Sequence, residues 1–262
     1  MHGCAPFFCR MRVMEPVPTQ RYGEIDLLRT IAIAGMLIYH TAFDLAAFYD
    51  FPIDPLRGGW LILQRCTVVL FLGLVGASFA ISYGRMEQRG ASLREILVKY
   101  MRRAAGLLLC ALAISGVTSV ILGDQWIRFG ALHLIAVAIL LLPFLMPLRE
   151  GNALLALGIF LLSPLLQRFS SGSALLLPFG VPPSSFTSVD YLPIVPWMGW
   201  ILLGAAVGSA LYNRRWLRRH LPHNRFTDLI TLPGRHALLL YLLHQPILFF
   251  FLWILLRNPT IP

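Results

Sequence analysis

Apolar runs close to twenty residues long recur from one end of this chain to the other. A helix needs about 20 residues at 1.5 Å each to cross the hydrocarbon core of a bilayer. A chain so patterned folds as a membrane bundle, because backbone amides in hydrocarbon must be satisfied within the segment that carries them. Composition supports this: of 262 residues, 57% are hydrophobic and only 13% charged, about half the charged share of a soluble domain. The net charge of +10 does not point to nucleic acid. The Arg residues that dominate it stand between the apolar runs, where basic residues orient a membrane protein.

Seven runs read as spans, over residues 26–49, 59–83, 100–122, 127–147, 152–167, 193–212 and 236–256. The fifth is short and contains Pro164, and the apolar loop 170–183 after it has room for an eighth or re-entrant segment. Arg10, Arg12 and Arg21 precede the first span. Arg85, Arg89, Arg94, Lys99, Arg102 and Arg103 follow the second, Arg149 the fourth, and Arg214, Arg215, Arg218, Arg219, Arg225 and Arg235 the sixth. The alternate loops carry Asp44, Asp50, Asp54, Asp124 and Asp190 with few basic residues. Such alternation predicts a cytoplasmic N-terminus and, with an odd span count, a C-terminus on the far side. The expected fold is therefore an all-α polytopic membrane bundle of about seven transmembrane helices. Residues 1–20 form a short cytoplasmic tail and 21–257 a single transmembrane domain. The tail has no apolar core for a cleaved signal peptide, and Met11 and Met14 offer later starts. Cys66 and Cys110 fall inside apolar runs and read as small buried hydrophobes; with Cys4 and Cys9 they make no metal or disulfide pattern.

Ionisable residues inside spans cost about 2.5–3.5 kcal/mol at mid-helix and usually mark function. The first span carries Asp26, Arg29, His40 and Asp44. Arg29 and His40 are eleven positions apart, about three helical turns, so they share a face. His40 and Asp44 are one turn apart on it, and Asp26 is within reach of Arg29. The stripe is about 27 Å long. Arg65, His133 and Asp190 lie at matching depth toward the outer side, which predicts an outward-leaning polar cavity lined by His40, Asp44, Arg65, His133 and Asp190. A carboxylate that orients an imidazole is a general-base arrangement. Such residues also serve as hydrogen-bonding glue between helices. His244 and Gln245, ahead of Pro246, fit either a site or partners for a proline kink.

The segment Glu24-Ile-Asp26-Leu-Leu-Arg29-Thr-Ile-Ala-Ile, followed by Tyr39-His40, resembles the first helix of the transmembrane acyltransferase superfamily, in which an Arg, ten residues and a His open the fold. Four further pieces resemble the bacterial branch of the heparan-alpha-glucosaminide N-acetyltransferase catalytic-domain family. They are Phe129-Gly-Ala-Leu-His133, Asp190-Tyr-Leu-Pro-Ile-Val-Pro196-Trp197-Met-Gly199, Leu203-Gly-Ala-Ala-Val-Gly208, and Gly234-Arg235-His236 through Tyr241-Leu-Leu-His244-Gln245-Pro246. The resemblance covers about residues 21–256. It implies transfer of an acetyl group from cytosolic acetyl-CoA to a sugar amine or hydroxyl across the membrane. On this chain it makes His40, with Asp44, the candidate base or transient acetyl carrier. Arg29 would contact the donor or lock the helix, and Arg102 and Arg103, with the Arg214–Arg219 cluster, are candidates for the donor phosphates. Arg65, His133 and Asp190 would stand on the acceptor side. The animal lysosomal member has a functionally implicated His in its first lumenal loop; the loop 50–58 here has Asp50, Asp54 and Arg57 and no His. The expected partners are the lipid bilayer of a bacterial inner membrane, a glycan or amino-sugar acceptor and, as an option, a second copy in a homodimer. Two other classes stay open: a transporter or flippase for a small solute or lipid-linked sugar, and a non-enzymatic subunit of an envelope complex. The lack of a visible inverted repeat speaks against the transporter.

Overall fold

The structure, a computed structural model, describes residues 22–169, 173–213 and 224–256. The tail and the basic residues 214–219 lie outside these. The described chain is helical, with one isolated bridge between Phe129 and Tyr191. Helix α1 is Gly23–Tyr49, α2 Gly58–Gln88, α3 Leu93–Ile121, α4 Ala131–Leu145, α5 Asn152–Leu166, α6 Ile194–Gly208, α7 Arg225–Arg235 and α8 Ala237–Leu256. Six stretches are long and apolar enough to cross a membrane, and one of them, Ala131–Leu166, holds both α4 and α5. That stretch folds back on itself at Arg149, whose φ of 49° breaks the helix. The elbow packs against the end of α6 at Ser209–Asn213, while Phe160 on α5 lies against Gly199 and Trp200 near the start of α6. Helix α5 therefore runs antiparallel to α6, so the described residues are compatible with about seven crossings.

The bundle is held by close backbone approach. Helices α2 and α6 run parallel in their most extensive contact. A Cβ on Gly76 would overlap the Ile201 carbonyl, and one on Gly204 would overlap the Gly73 carbonyl. Lipid tails are as apolar as Leu, so small residues that let helices touch supply the packing. The core behind this seam contains Leu72, Phe79, Tyr100, Leu134, Ile139, Ile201 and Leu202. The perimeter displays Leu109, Val120, Leu154, Leu161, Phe251 and Leu255. So large an apolar exterior is stable only against hydrocarbon.

Two expectations are corrected here. Cys66 is exposed on the outside of α2 rather than buried, and Cys110 is partly buried. The loop 170–183 forms no eighth span in its described part; it contains a short 3-10 segment, Ala174–Phe179. The last span, Ala237–Leu256, begins where the apolar run does, and a separate short helix leads into it. Helix α7 precedes α8 across a break at His236, and Gly234 packs on the Asp26 carbonyl with its N–H donating to Thr30 Oγ1 at 3.0 Å.

Candidate functional site

Helix α1 carries its polar stripe between two neighbours. Near its start, Arg29 Nη1 donates to Asp26 Oδ1 at 2.8 Å and Nη2 to Ser78 Oγ on α2 at 2.6 Å. Both guanidinium edges are thus engaged, and Arg29 ties α1 to α2. Farther along, the stripe meets α8. The ring centroids of His40 and His244 are 4.9 Å apart. Gln245 Nε2 donates to Asp44 Oδ1 at 2.7 Å.

The expected His40–Asp44 pair does not form. Asp44 is fully buried and spends Oδ1 on Gln245, and no hydrogen bond joins it to His40 among the described residues. One helical turn brings two side chains near each other, but α8 turns one toward Gln245 and the other toward His244. What results is a crevice with unclaimed polar atoms: His40 Nδ1, Asp44 Oδ2, Tyr49 Oη and Gln245 Oε1 are buried without a hydrogen-bond partner. Buried polar atoms are rarely left so. His244 has a defined tautomer. Its Nδ1 lies 2.6 Å from the Tyr241 carbonyl, which only accepts, so Nδ1 carries the proton and Nε2 of the neutral ring keeps its lone pair.

The outer end gathers the remaining predicted residues, though not all of them face the crevice. Asp190 Oδ2 accepts from the Ala131 amide at 3.1 Å, and His133 Nδ1 accepts from the Gly130 amide at 3.3 Å. Both therefore satisfy orphan amides at the start of α4, where a negative group is favoured. Gly130 permits this, since a Cβ there would collide with Asp190 Oδ2. Burial pushes the Asp190 carboxyl up to about 6, with the Ala131 bond acting the other way. Asp190 also lies within electrostatic reach of the Tyr241 hydroxyl, which links this end to α8. Arg65 sits 5.3 Å over the Trp197 ring and lies within electrostatic reach of Tyr39 on α1. Beside Asp190, a shallow open depression is lined by Gln125, Phe186, Thr187, Ser188 and Tyr191.

At the other face Arg102 and Arg103 are both exposed. The buried stripe of α3 is Ile96, Tyr100, Ala104, Leu107 and Ala111. At 100° per residue Arg103 borders that stripe on the α2 side and Arg102 points away from it. Sequence reasoning missed Gln245 as the partner of Asp44, and Tyr241 as the group that fixes the His244 tautomer. The dense polar run Tyr241 to Pro246 was the available signal.

The family described as heparan-alpha-glucosaminide N-acetyltransferase, catalytic, matches residues 21–246. No curated protein and no solved structure matches the chain. The matched region contains every residue of the α1–α8 crevice and both capping groups of α4.

Proposed function

This chain belongs to the heparan-alpha-glucosaminide N-acetyltransferase catalytic family, and from that premise we propose that it moves an acetyl group from acetyl-CoA on its basic face to a sugar amine or hydroxyl on the opposite face. The basic face, where α1 begins, is the cytoplasmic one by the positive-inside rule. The observation that carries the reading is the unclaimed Nδ1 of His40, buried between α1 and α8 beside a second imidazole. In hydrocarbon an imidazole nitrogen without a partner is costly, and acyl transfer gives it an occupant.

Neutral His40 serves in one of two ways. As nucleophile its unprotonated nitrogen attacks the thioester carbonyl; the C–S bond breaks, the leaving thiolate takes the proton of the other ring nitrogen, and the acetyl-imidazole then passes its acyl group to the acceptor, whose proton returns to the ring. As base it takes the proton of the acceptor amine or hydroxyl while that group attacks the thioester directly, and the thiolate then receives the proton. In both, His244 Nε2 stands ready to hold a proton next to His40, and the Asp44–Gln245 pair fixes α8 against α1. Arg29 locks the helix at the donor end. Arg65, His133 and Asp190 shape the acceptor side, where the depression at Phe186 and Tyr191 offers an aromatic and hydroxyl-bearing approach.

Calorimetry with detergent-purified protein tests this. Acetyl-CoA is expected to bind at micromolar concentration, more weakly to Arg29→Ala and with little change to His40→Ala. No binding in folded wild-type protein would sink the donor assignment. A transporter reading would instead require substrate accumulation in proteoliposomes without acetyl transfer.

A further inference from the structure

The elbow between α2 and α3 concentrates positive charge in a way that the α1–α8 crevice does not explain. Ser82, Arg85 and Met86 occupy positions i, i+3 and i+4 on α2 and so share one face of its last turns, and Arg89 is the residue that caps the helix. Lys99 on α3 docks on that face, with Nζ 2.9 Å from Ser82 Oγ and 3.3 Å from Met86 Sδ. Its ammonium also lies 5.2 Å over the Tyr100 ring, and the Tyr100 hydroxyl donates to Ser82 Oγ at 3.1 Å. Arg103 follows Lys99 by one turn. Arg85, Arg89 and Arg103 all act electrostatically on Lys99.

Arg89, Lys99 and Arg103 on the two facing helix ends repel one another, and like charges one turn apart are destabilising; Arg85 beside them is engaged by the Tyr22 ring at 5.1 Å. The carboxylates on the same two helix ends, Glu87 and Glu95, are engaged elsewhere. Glu87 pairs with Arg149 at 3.6 Å. Glu95 closes the capping box of α3, accepting from the Ser92 amide at 2.7 Å. Among the described residues no ion pair joins Arg89, Lys99 or Arg103 to a carboxylate. Lys99 is held in place by hydroxyl, thioether and ring, none of which neutralises it. A polar track connects the cluster to α1, since Ser78, one turn from Ser82, accepts from Arg29.

We propose that Arg89, Lys99 and Arg103, flanked by Arg85, form a phosphate site at the α2–α3 elbow that takes a phosphate-bearing polyanion, supplied by the nucleotide end of the acyl donor or by a phospholipid headgroup. Guanidinium and ammonium groups at the bilayer surface suit phosphate oxygens of either origin. The nucleotide source rests on the acetyl-CoA reading above; the lipid source does not.

The test uses the full chain with three variants: Lys99→Gln with Arg103→Gln, the charge-keeping Lys99→Arg with Arg103→Lys, and Arg168→Gln at the opposite face. Two probes are read for each. Coenzyme A and adenosine 3′,5′-bisphosphate are titrated by calorimetry. Retention of phosphatidylglycerol over phosphatidylcholine is read by native mass spectrometry from mixed nanodiscs. The neutralised pair is expected to weaken one probe about tenfold or more, while the charge-keeping pair and Arg168→Gln retain it. Loss of nucleotide binding assigns the site to the donor; loss of phosphatidylglycerol retention alone assigns it to lipid. If the neutralised pair keeps both probes, or the charge-keeping pair loses them equally, the site is overturned. Failure of the two readings is separable. Wild-type protein that ignores acetyl-CoA yet loses phosphatidylglycerol in the neutralised pair ends the donor reading and keeps the site. Undiminished acetyl-CoA binding in the neutralised pair, with lipid retention also unchanged, ends the site and keeps the donor reading.

Discussion

A single atom, His40 Nδ1, separates a chemical role from a packing role for the first helix. If His40 carries or abstracts during acyl transfer, His40→Ala lowers the transfer rate at least about 100-fold, as loss of a positioned acid–base group does, and leaves acetyl-CoA binding nearly intact. Equal losses of both would make His40 a binding residue only. Gln245 tests the next contact outward. Removing its amide leaves the buried Asp44 carboxyl without a donor, at a cost of about 1–3 kcal/mol, so Gln245→Ala should lower the melting temperature more than His244→Ala does. Asp190 supplies a pH dependence. Its carboxyl lies outside the spans, and burial lifts it from an ordinary 3.8 to about 6. A raised acid holds its proton better in the folded state, so the stability it contributes is fully present below about pH 4 and is lost as the pH rises through about 6. Asp190→Asn keeps an acceptor for the Ala131 amide and cannot ionise. It should melt with the wild type at about pH 4 and above it at about pH 8; coincident melting curves at both pH values would mean that Asp190 does not titrate with folding.

Individual elements show what a single sequence can and cannot disclose. The all-helical, multi-span pattern was legible because each requirement is local: a run of apolar residues, a break, a basic or acidic loop. The Arg149 elbow was visible as one basic residue between two runs. Helix α7 was hidden because its residues fall in a basic stretch that satisfies the orientation rule without being helical, and because its buried side, Thr231 and Gly234, is small rather than apolar. The His40–Asp44 pairing failed for a related reason. Spacing on one helix says which side chains share a face, but the partner that claims each lies about 200 positions away on α8 and leaves no local mark. Glycine contacts are equally nonlocal. Gly73, Gly76 and Gly204 are alike in sequence, yet a Cβ on Gly73 meets open space while those on Gly76 and Gly204 strike backbone. Gly73→Ala should therefore fold normally, and Gly76→Ala or Gly204→Ala should destabilise by about 1–3 kcal/mol, the cost of overpacking a tight contact. Fluorescence-detected size exclusion after a heating series reads this; equal tolerance of all three would mean that α2 and α6 separate freely.

For the molecule as a whole, charge and chemistry have to agree on direction. The Arg29 lock, the elbow cations and the start of α1 share one face, while Asp190, His133 and the Gln125–Tyr191 depression share the other. The crevice lies between them, at about the depth where His40 meets His244. In the proposed transfer, an acyl donor with several phosphates would keep those phosphates on the basic face, since they cannot pass the apolar core, and only its thioester end would reach inward. The same proposal brings the acceptor in from the opposite face. This geometry makes sidedness the decisive property, and it can be measured independently of any acceptor's identity. In a cysteine-free background, Asp54→Cys and Gln88→Cys place single thiols on the loop after α1 and at the far end of α2. In intact cells an impermeant maleimide should label Asp54→Cys and reach Gln88→Cys only after permeabilisation. The reverse pattern would put the cation cluster outside, away from any cytosolic acyl donor, and the transmembrane transfer proposed for this bundle would fail with it, whatever His40 proved to do.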